Sequence, residues 1–466
     1  MKPPTLSVVV PAFNEAAYLP VHSDGVRIGE GLMAEVTLAG REKSFSNAYQ
    51  WYALGVLFLV YVFNFIDRSV LALLAQSIKE DLQISDTMLG LLSGFAFALF
   101  YTGFGIPIAR LADKGNRRNI LVICLSIWSA ATALCGLAQS YSHLLLARIG
   151  VAVGEAGGSP PSHSMISDMF PQHRRATALG IYALGIPVGS MIGALAGGLI
   201  NDAMSWRAAF VVVGLPGLLL AVVVRMTLKE PPRGVSETVR VVAGEAPPIA
   251  DVFRILWQRP SFRWLSLSAG FQAFVSYGAG AWIPAMFERT HGLSSGQIGT
   301  ALFWLGVPAV ISTFAGGWCG DRMGRRDVRW YLWLPAWTTL LSLPFSAFCY
   351  LTSDPWLAFW VMVIPNLLGS CWLAPTFSLT QGLVGLRMRA VAASIVLFVL
   401  NIIGMGLGPW FVGALSDLLM AHTALGLDSL RWALVISLAF ALIAIYCCIR
   451  GARTLKADLA HSLEAH

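Results

Sequence analysis

The sequence is poor in charged residues. Of its 466 residues only 12% are Asp, Glu, Lys or Arg, whereas 56% are hydrophobic and the mean hydropathy is +0.67. A soluble domain carries about 25% charged residues. This much apolar surface cannot be buried inside a soluble globule of this length, so lipid must be the solvent for much of it. The composition therefore excludes a soluble domain and indicates an integral membrane protein.

The sequence also lacks the motifs of several function classes. It has no glycine-rich loop of the Walker type, so ATP is not the expected energy source. Its seven cysteines lie mostly in apolar stretches and show no CxxC spacing, so we expect no metal and no cofactor. The formal charge is 32 − 25 = +7. The basic residues lie in gaps between apolar stretches, which favours a topological role over nucleic-acid binding.

What the sequence does contain is twelve apolar stretches of about the length of a membrane-spanning helix, ~20 residues. They lie near residues 51–76, 87–110, 119–138, 143–167, 176–200, 207–227, 262–287, 297–318, 329–351, 355–381, 390–416 and 430–450. We therefore predict an all-α membrane protein with twelve transmembrane helices. The predicted regions are an extension over 1–48, a six-helix bundle over 49–227, a linker over 228–260, a second six-helix bundle over 261–451 and a tail over 452–466.

The gaps between the stretches differ in charge from one side to the other. Gaps after even-numbered stretches are rich in bases, as in 110–118, 172–175, 225–240 and 322–329. The opposite gaps carry acids such as Asp86, Asp202 and Asp354 with few bases. Because basic loops stay in the cytosol, we predict a multi-pass protein of the cell or inner membrane. Both termini and the linker are expected to be cytosolic.

One charged segment occurs twice. Ala109–Arg118, ARLADKGNRR, recurs 208 positions later as Gly317–Arg326, GWCGDRMGRR, and each copy lies between two apolar stretches. A second pair, RATA from Arg175 and RAVA from Arg389, follows the fourth and tenth stretches. Repeats at matching places in two halves indicate duplication, so we predict a 6+6 parallel repeat.

The second charged segment resembles the loop signature of the major facilitator superfamily. The first departs from it, because Ala109 replaces the opening glycine and Gly115 comes one place early. The N-terminal half is similar to Spinster-like lipid transporters in NFIDR (64–68), GEA (154–156), IPVGS (186–190) and EPPRG (230–234). Organic-anion symporters share the first two elements, whereas the last two favour Spinster. The resemblance implies the major facilitator fold and secondary active transport of an amphipathic lipid, such as a lysophospholipid or a sphingoid lipid.

Four charged residues lie inside apolar stretches. Asp67 and Arg68 are in the first stretch; Arg148 and Glu155 are in the fourth and lie nearly two helical turns apart on one face. Charge at such depth usually faces a cavity or a partner. We expect the four to meet in one cluster, with Glu155 as the main proton carrier and Asp67 controlling Arg68. Protonation would release an arginine for an anionic substrate. The substrate-binding candidates are Arg68, Arg148, Asn64, Tyr182, Tyr277 and Asn401.

The two charged segments and a nearby acid form a predicted conformational latch. Such a latch would stabilise one state through ion pairs and helix-end dipoles. Its members are Asp113, Lys114, Arg117, Arg118, Asp168, Asp321, Arg322, Arg325 and Arg326.

The resulting hypothesis is a proton-coupled transporter that works by alternating access, not an enzyme. Its expected partners are a small-molecule or lipid substrate, protons and the bilayer, without nucleic acid, and it is expected to be a monomer. An organic-anion/proton symporter or a drug exporter is the alternative. A membrane glycosyltransferase is a remote one, because residues 6–15 resemble the first strand of family 2 glycosyltransferases.

Overall fold

A computed structural model of the chain describes residues 45–233, 249–384 and 388–464. Across these ranges the secondary structure is helical, without a β-strand. The stretch over 6–15 that suggested a glycosyltransferase lies outside the described residues, as do most of the predicted extension and the middle of the predicted linker.

Ten helical segments are long and apolar enough to cross a membrane. They are Asn47–Leu73, Asp86–Lys114, Arg117–Cys135, His173–Ala203, Trp206–Thr227, Ser295–Gly324, Trp330–Leu351, Pro355–Gly382, Val391–His422 and Gly426–Ala460. In chain order these are the first, second, third, fifth, sixth and eighth to twelfth spans.

The fourth and seventh spans complete the predicted twelve. The fourth consists of two short helices, Tyr141–Glu155 and Ser159–Met169, separated by a turn. The seventh, Pro260–His291, is 32 residues long but less apolar, because its sequence includes several serines and Gln272. Each of the two spans departs from a plain apolar helix where it carries polar side chains.

Several spans extend further than the apolar stretches predict. The second span continues to Lys114 and the eighth to Gly324, whereas the predicted ends are 110 and 318. The charged residues that follow an apolar stretch can continue the same helix, so the helix ends several residues after the stretch does. Side-chain caps fix several starts; Asn116, for example, accepts a hydrogen bond from the Asn119 amide at 2.8 Å.

The twelve spans form the two halves of the fold, spans one to six and seven to twelve. The halves meet where the fifth span packs against the eighth and the second packs against the eleventh. We call the end with the turns after Lys114, Met169 and Gly324 the hairpin face. The opposite end, with the turns after Leu73, Ala203, His291 and His422, is the closed face.

The second and eleventh spans approach each other closely. A Cβ atom at Gly94 would lie 2.7 Å from the carbonyl oxygen of Gly406, so only glycine fits there. Both helices widen into π-helical segments at this contact, Leu91–Phe95 and Leu400–Leu407. Such widened turns are often found at functional sites.

Candidate functional site

The centre of the site is a buried ion pair between the first and fourth spans. Arg68 Nε lies 2.7 Å from Glu155 Oε2, and the side-chain exposures are 16% and 0%. The Arg68 guanidinium also lies over three aromatic rings, with centroid distances of 5.0 Å to Phe65, 5.0 Å to Phe97 and 4.9 Å to Tyr101. Arg68 is therefore held by one carboxylate and an aromatic cage.

Asp67 has different surroundings from its neighbour Arg68. Its Oδ2 accepts a hydrogen bond from Thr132 Oγ1 at 2.9 Å, and the residue is 2% exposed. Successive residues on a helix point about 100° apart, which directs Asp67 to the third span and Arg68 to the fourth. In this conformation Arg68 pairs with Glu155, and control of Arg68 by Asp67 stays a prediction.

Arg148 is buried, and none of the carboxylates in the described ranges forms an ion pair with it. It is 3% exposed, and its guanidinium carbon lies 5.0 Å from the Phe97 centroid. Its Nε and Nη1 have no hydrogen-bond partner among the described residues. A buried cation with free donors is costly unless an anion compensates it. Arg148 is therefore suited to receiving the anionic group of a ligand.

Residues of both halves enclose a cavity of about 220 Å³ beside these charges, which we call the charged pocket. Arg68, Arg148 and Phe97 line it from the N-terminal half, and Tyr277 and Met405 line it from the C-terminal half. Among the described residues that line it, the two arginines alone are charged. A pocket shared by both halves changes its shape when the halves move, as a transport site requires.

The uncharged sequence candidates differ in their surroundings. Asn64 is buried and lies next to Glu155. Tyr182 is buried and stacks on Tyr61, with ring centroids 4.3 Å apart. Asn401 belongs to the π-helical segment of the eleventh span. Of the uncharged candidates only Tyr277 lines the pocket.

Sequence reasoning missed several residues of the pocket. Phe97 and Tyr101 cage Arg68, and the Met405 sulfur lies 3.9 Å from Arg68 Nη1. An aromatic residue or a methionine inside an apolar stretch looks like any lipid-facing residue, so no pattern distinguished them. The repeated glycines around Met405 were the available signal, because they permit close helix approach.

On the hairpin face, the first charged segment is fastened to the EPPR residues that follow the sixth span. Arg117 pairs with Asp168 and with Glu230, the latter at 2.7 Å. Glu230 also accepts a hydrogen bond from the Arg118 amide at 2.9 Å. Arg233 donates to the carbonyl oxygens of Ala112 and Gly115, both at 2.8 Å. The predicted latch residues Arg117 and Asp168 thus meet, but within one half.

The remaining latch candidates have separate surroundings. Asp113 and Lys114 are exposed. Asp321 accepts a hydrogen bond from the Tyr331 hydroxyl at 3.0 Å, and the Arg322 guanidinium lies 5.6 Å from the Trp318 ring centroid. Arg325 donates to the Asp321 carbonyl oxygen at 3.4 Å; Arg326 follows it at the end of the eighth span. The two copies of the repeat therefore make different contacts.

A polar network joins the halves at the closed face. Asp86, which is fully buried, pairs with Arg289 of the seventh span and with Lys79, each at 2.7 Å. Asp417 of the eleventh span accepts hydrogen bonds from the Thr87 amide at 2.7 Å and the Asp86 amide at 3.1 Å. Sequence reasoning treated Asp86 only as a topological marker, because its partner Arg289 lies 203 residues away in the sequence.

The fifth and eighth spans are joined at the same face. Asn201 donates to Ser295 Oγ at 2.9 Å, and Asp202 accepts from the Gly296 amide at 2.9 Å. These contacts and the Asp86 network together tie both interfaces between the halves at one end of the molecule.

Comparison with known proteins agrees with this architecture. Residues 57–409 match the family model of the Major Facilitator Superfamily. An "MFS-type efflux pump" of Mycolicibacterium smegmatis is 34% identical over 390 residues, which cover 84% of this chain and 89% of the pump.

Two further similarities concern Spinster proteins. The crystal structure of a bacterial homologue of the human lysosomal transporter Spinster, inward-facing and unoccupied, matches with a TM-score of 0.81 and 33% identity, covering 89% of this chain and 99% of that one. A sphingosine-1-phosphate transporter of Danio rerio is 28% identical over 242 residues, 51% of this chain and 48% of that protein. The chain therefore spans about half the length of that relative.

Proposed function

The chain belongs to the Major Facilitator Superfamily as a Spinster-like, multi-pass membrane transporter rather than an enzyme, and we propose that it moves an anionic amphipathic lipid in exchange or symport with protons. The observation that carries this proposal is the charged pocket. It holds one arginine paired to a buried carboxylate and a second arginine with unpaired donors. A phosphate or carboxylate headgroup satisfies such donors well.

Proton coupling follows from competition for Arg68. While Glu155 is ionised, its carboxylate occupies the Arg68 guanidinium. A proton on Glu155 removes that charge, and Arg68 becomes available to the substrate anion beside Arg148. Proton binding and substrate binding are then linked by one coupling free energy. Asp67 lies within electrostatic reach of Glu155 and both arginines, so it tunes the same equilibrium.

The proposed cycle is alternating access, in which the two halves rock about the charged pocket. The network around Asp86 and Arg289 supports a conformation sealed at the closed face. The similarity to an inward-facing Spinster homologue supports placing the hairpin face in the cytosol. Outward opening would break this network, and the proposed latch at the hairpin face would form in its place.

The test uses purified protein in proteoliposomes with an imposed pH gradient and radiolabelled lysophosphatidylglycerol or sphingosine-1-phosphate. We expect the wild type to accumulate one of these lipids in response to the gradient. Glu155→Gln should lose gradient-driven accumulation but retain exchange, because exchange needs no net proton movement. Asp67→Asn should impair both, and Arg68→Ala should lose binding of the anionic lipid.

The matched control is Asp428→Asn, which neutralises a half-exposed carboxylate at the closed face, paired to Arg431. This variant should transport like the wild type. If Glu155→Gln keeps full gradient-driven accumulation, Glu155 is not the proton carrier and Asp67 is the next residue to examine. If neither lipid binds, the substrate class is wrong.

Drug export is the second candidate function. It is favoured by the 34% identity to the mycobacterial efflux pump, which extends over most of both chains. Expression in a strain without its own efflux pumps distinguishes the two functions. Expulsion of a lipophilic dye such as ethidium, abolished by Arg148→Ala or Glu155→Gln, would favour export over lipid transport.

A further inference from the structure

A second cavity lies inside the C-terminal half. Its volume is about 260 Å³, and residues of the seventh, ninth, tenth and twelfth spans line it. Many of the lining side chains carry a hydroxyl or an amide, namely Gln272, Ser276, Thr339, Ser342, Ser346 and Asn366. Within the described part of the chain, no charged residue lines it. We call this cavity the neutral chamber.

Gln272 lines the neutral chamber and has an unused donor that is buried beside it. The residue is 6% exposed, and its Oε1 accepts a hydrogen bond from Thr339 Oγ1 at 2.9 Å. Its Nε2 has no hydrogen-bond partner among the described residues. A buried donor without an acceptor costs free energy, so such groups usually have a ligand or an ordered water as partner. A molecule in the chamber that carries a hydrogen-bond acceptor would satisfy this donor once the Gln272 amide turns toward the cavity.

The neutral chamber adjoins the charged pocket. Ser276 and Gly280 line both cavities and lie one helical turn apart on the seventh span. Serine has a small side chain and glycine has none, so little separates the two cavities at this turn of the seventh span. A Cβ atom built on Gly280 meets no other heavy atom within 4 Å, which shows that the space beside it is open.

We propose that the neutral chamber binds an uncharged, hydroxyl- or amide-bearing part of the same substrate whose anionic group binds in the charged pocket. This assignment rests on the proposed function for the anionic group. Hydroxyl groups both donate and accept, so they match the Gln272 amide and the serine and threonine hydroxyls. Thr339, Ser342 and Asn366 already donate to protein acceptors. An alkyl chain in the chamber would offer no partner to the Gln272 donor or to the hydroxyls of Ser276 and Ser346. The substrate class is therefore an anionic amphiphile with a polyol-type headgroup rather than a simple alkyl anion.

The test compares two ligands with the same chain length and one phosphate each. Palmitoyl lysophosphatidylglycerol carries free hydroxyls. Hexadecyl phosphate, used as its methyl diester so that it also carries a single negative charge, carries none. Binding is measured by scintillation proximity with the full-length protein in detergent. The wild type should bind the first about tenfold more tightly, as one or two added hydrogen bonds would give. Gln272→Leu should reduce this preference to about twofold without changing the affinity for hexadecyl phosphate.

A second variant tests the passage between the cavities. Gly280→Leu fills the open space at the shared wall and should lower the affinity for lysophosphatidylglycerol to that for hexadecyl phosphate. Gly55→Leu is the matched control, since Gly55 is exposed, has similarly open space and lines neither cavity. Gly55→Leu should bind both ligands like the wild type. Size-exclusion profiles verify that both variants are folded.

The outcomes separate this inference from the proposed function. Equal wild-type affinity for the two ligands, or an equal loss of both in Gln272→Leu, would mean that the chamber holds only water. If Arg148→Ala leaves both affinities unchanged while Gln272→Leu still removes the preference, the chamber is correctly assigned and the anionic site is not. If neither ligand binds the wild type, both proposals fail.

Discussion

Asp86 connects the two halves through more groups than any other single residue described at the closed face. Its carboxylate accepts from Arg289, Lys79 and Ser416, and its amide donates to Asp417. A buried charge that loses its partner is expensive, roughly 3–5 kcal/mol. The closed face therefore depends on this carboxylate being charged and fully paired.

We expect Asp86→Asn to shift the transporter toward the conformation that is open at this face, because Arg289 would lose its counter-charge. Distances between spin labels across the closed face, measured by double electron–electron resonance, should lengthen or become bimodal. Asp81→Asn is the matched control, since Asp81 pairs with Arg207 in an exposed bridge within one half. Such surface pairs contribute about 0–1 kcal/mol. Unchanged distances in Asp86→Asn would show that packing alone keeps the face closed.

Only some residues of the site can be predicted from the sequence. A charged residue inside an apolar stretch is energetically costly and usually has a functional role. This argument identifies Asp67, Arg68, Arg148 and Glu155. Their pairing does not follow from the sequence, since Asp67 and Arg68 are adjacent yet face different spans. Gln272 is a polar residue within a span, but its unpaired donor depends on how four spans pack.

At the scale of elements, the close contact between the second and eleventh spans constrains the closed conformation. Gly94→Ala should disfavour it, because the added methyl group would lie 2.7 Å from the Gly406 carbonyl oxygen. Overpacking of this kind costs typically 1–3 kcal/mol. The same spin-label distances should show a larger open population. Gly103→Ala, in the same span with open space around it, should behave as wild type.

The segment after the sixth span holds the first charged segment, between the second and third spans, in place. Glu230→Gln should lower the thermal stability of the N-terminal half, because it weakens the pairing with Arg117 and the bond from the Arg118 amide. The expected loss is about 1–3 kcal/mol for a charged hydrogen bond. Fluorescence-detected size exclusion after heating measures it. Lys229→Gln, a neighbouring exposed position, should melt like the wild type.

The number and order of the helices were predictable, because about 20 consecutive apolar residues have few alternatives to crossing a bilayer. Three features of the elements were not. The break in the fourth span between Glu155 and Ser159, the π-helical segments and the role of the EPPR residues all depend on neighbouring spans. The EPPR motif was recognised in the sequence only as a resemblance to Spinster-like transporters, and its contacts were not predicted.

At the scale of the whole molecule, orientation in the membrane is the main expectation still to be measured. The charge bias between loops predicts that the hairpin face is cytosolic. In a cysteine-free background, Ala424→Cys at the closed face should react with an impermeant maleimide in intact cells. Ala457→Cys, near the C-terminus, should react only after permeabilisation. Both positions are exposed, so accessibility to solvent does not distinguish them. The reverse labelling pattern would invert the proposed topology.

The contacts that Glu230 and Arg233 make also affect whether the two halves need a continuous chain between them. Arg233 is bound to the end of the second span, whereas Val252 and Leu256, soon after the linker, are buried in the C-terminal half. The chain before residue 234 is therefore held by the N-terminal half, and the chain after residue 248 is held by the C-terminal half. The register between the halves is set by the Asp86 network and the glycine contacts, not by the covalent link. Two separately synthesised fragments, cut within 234–248, therefore retain every described contact needed to assemble into one transporter.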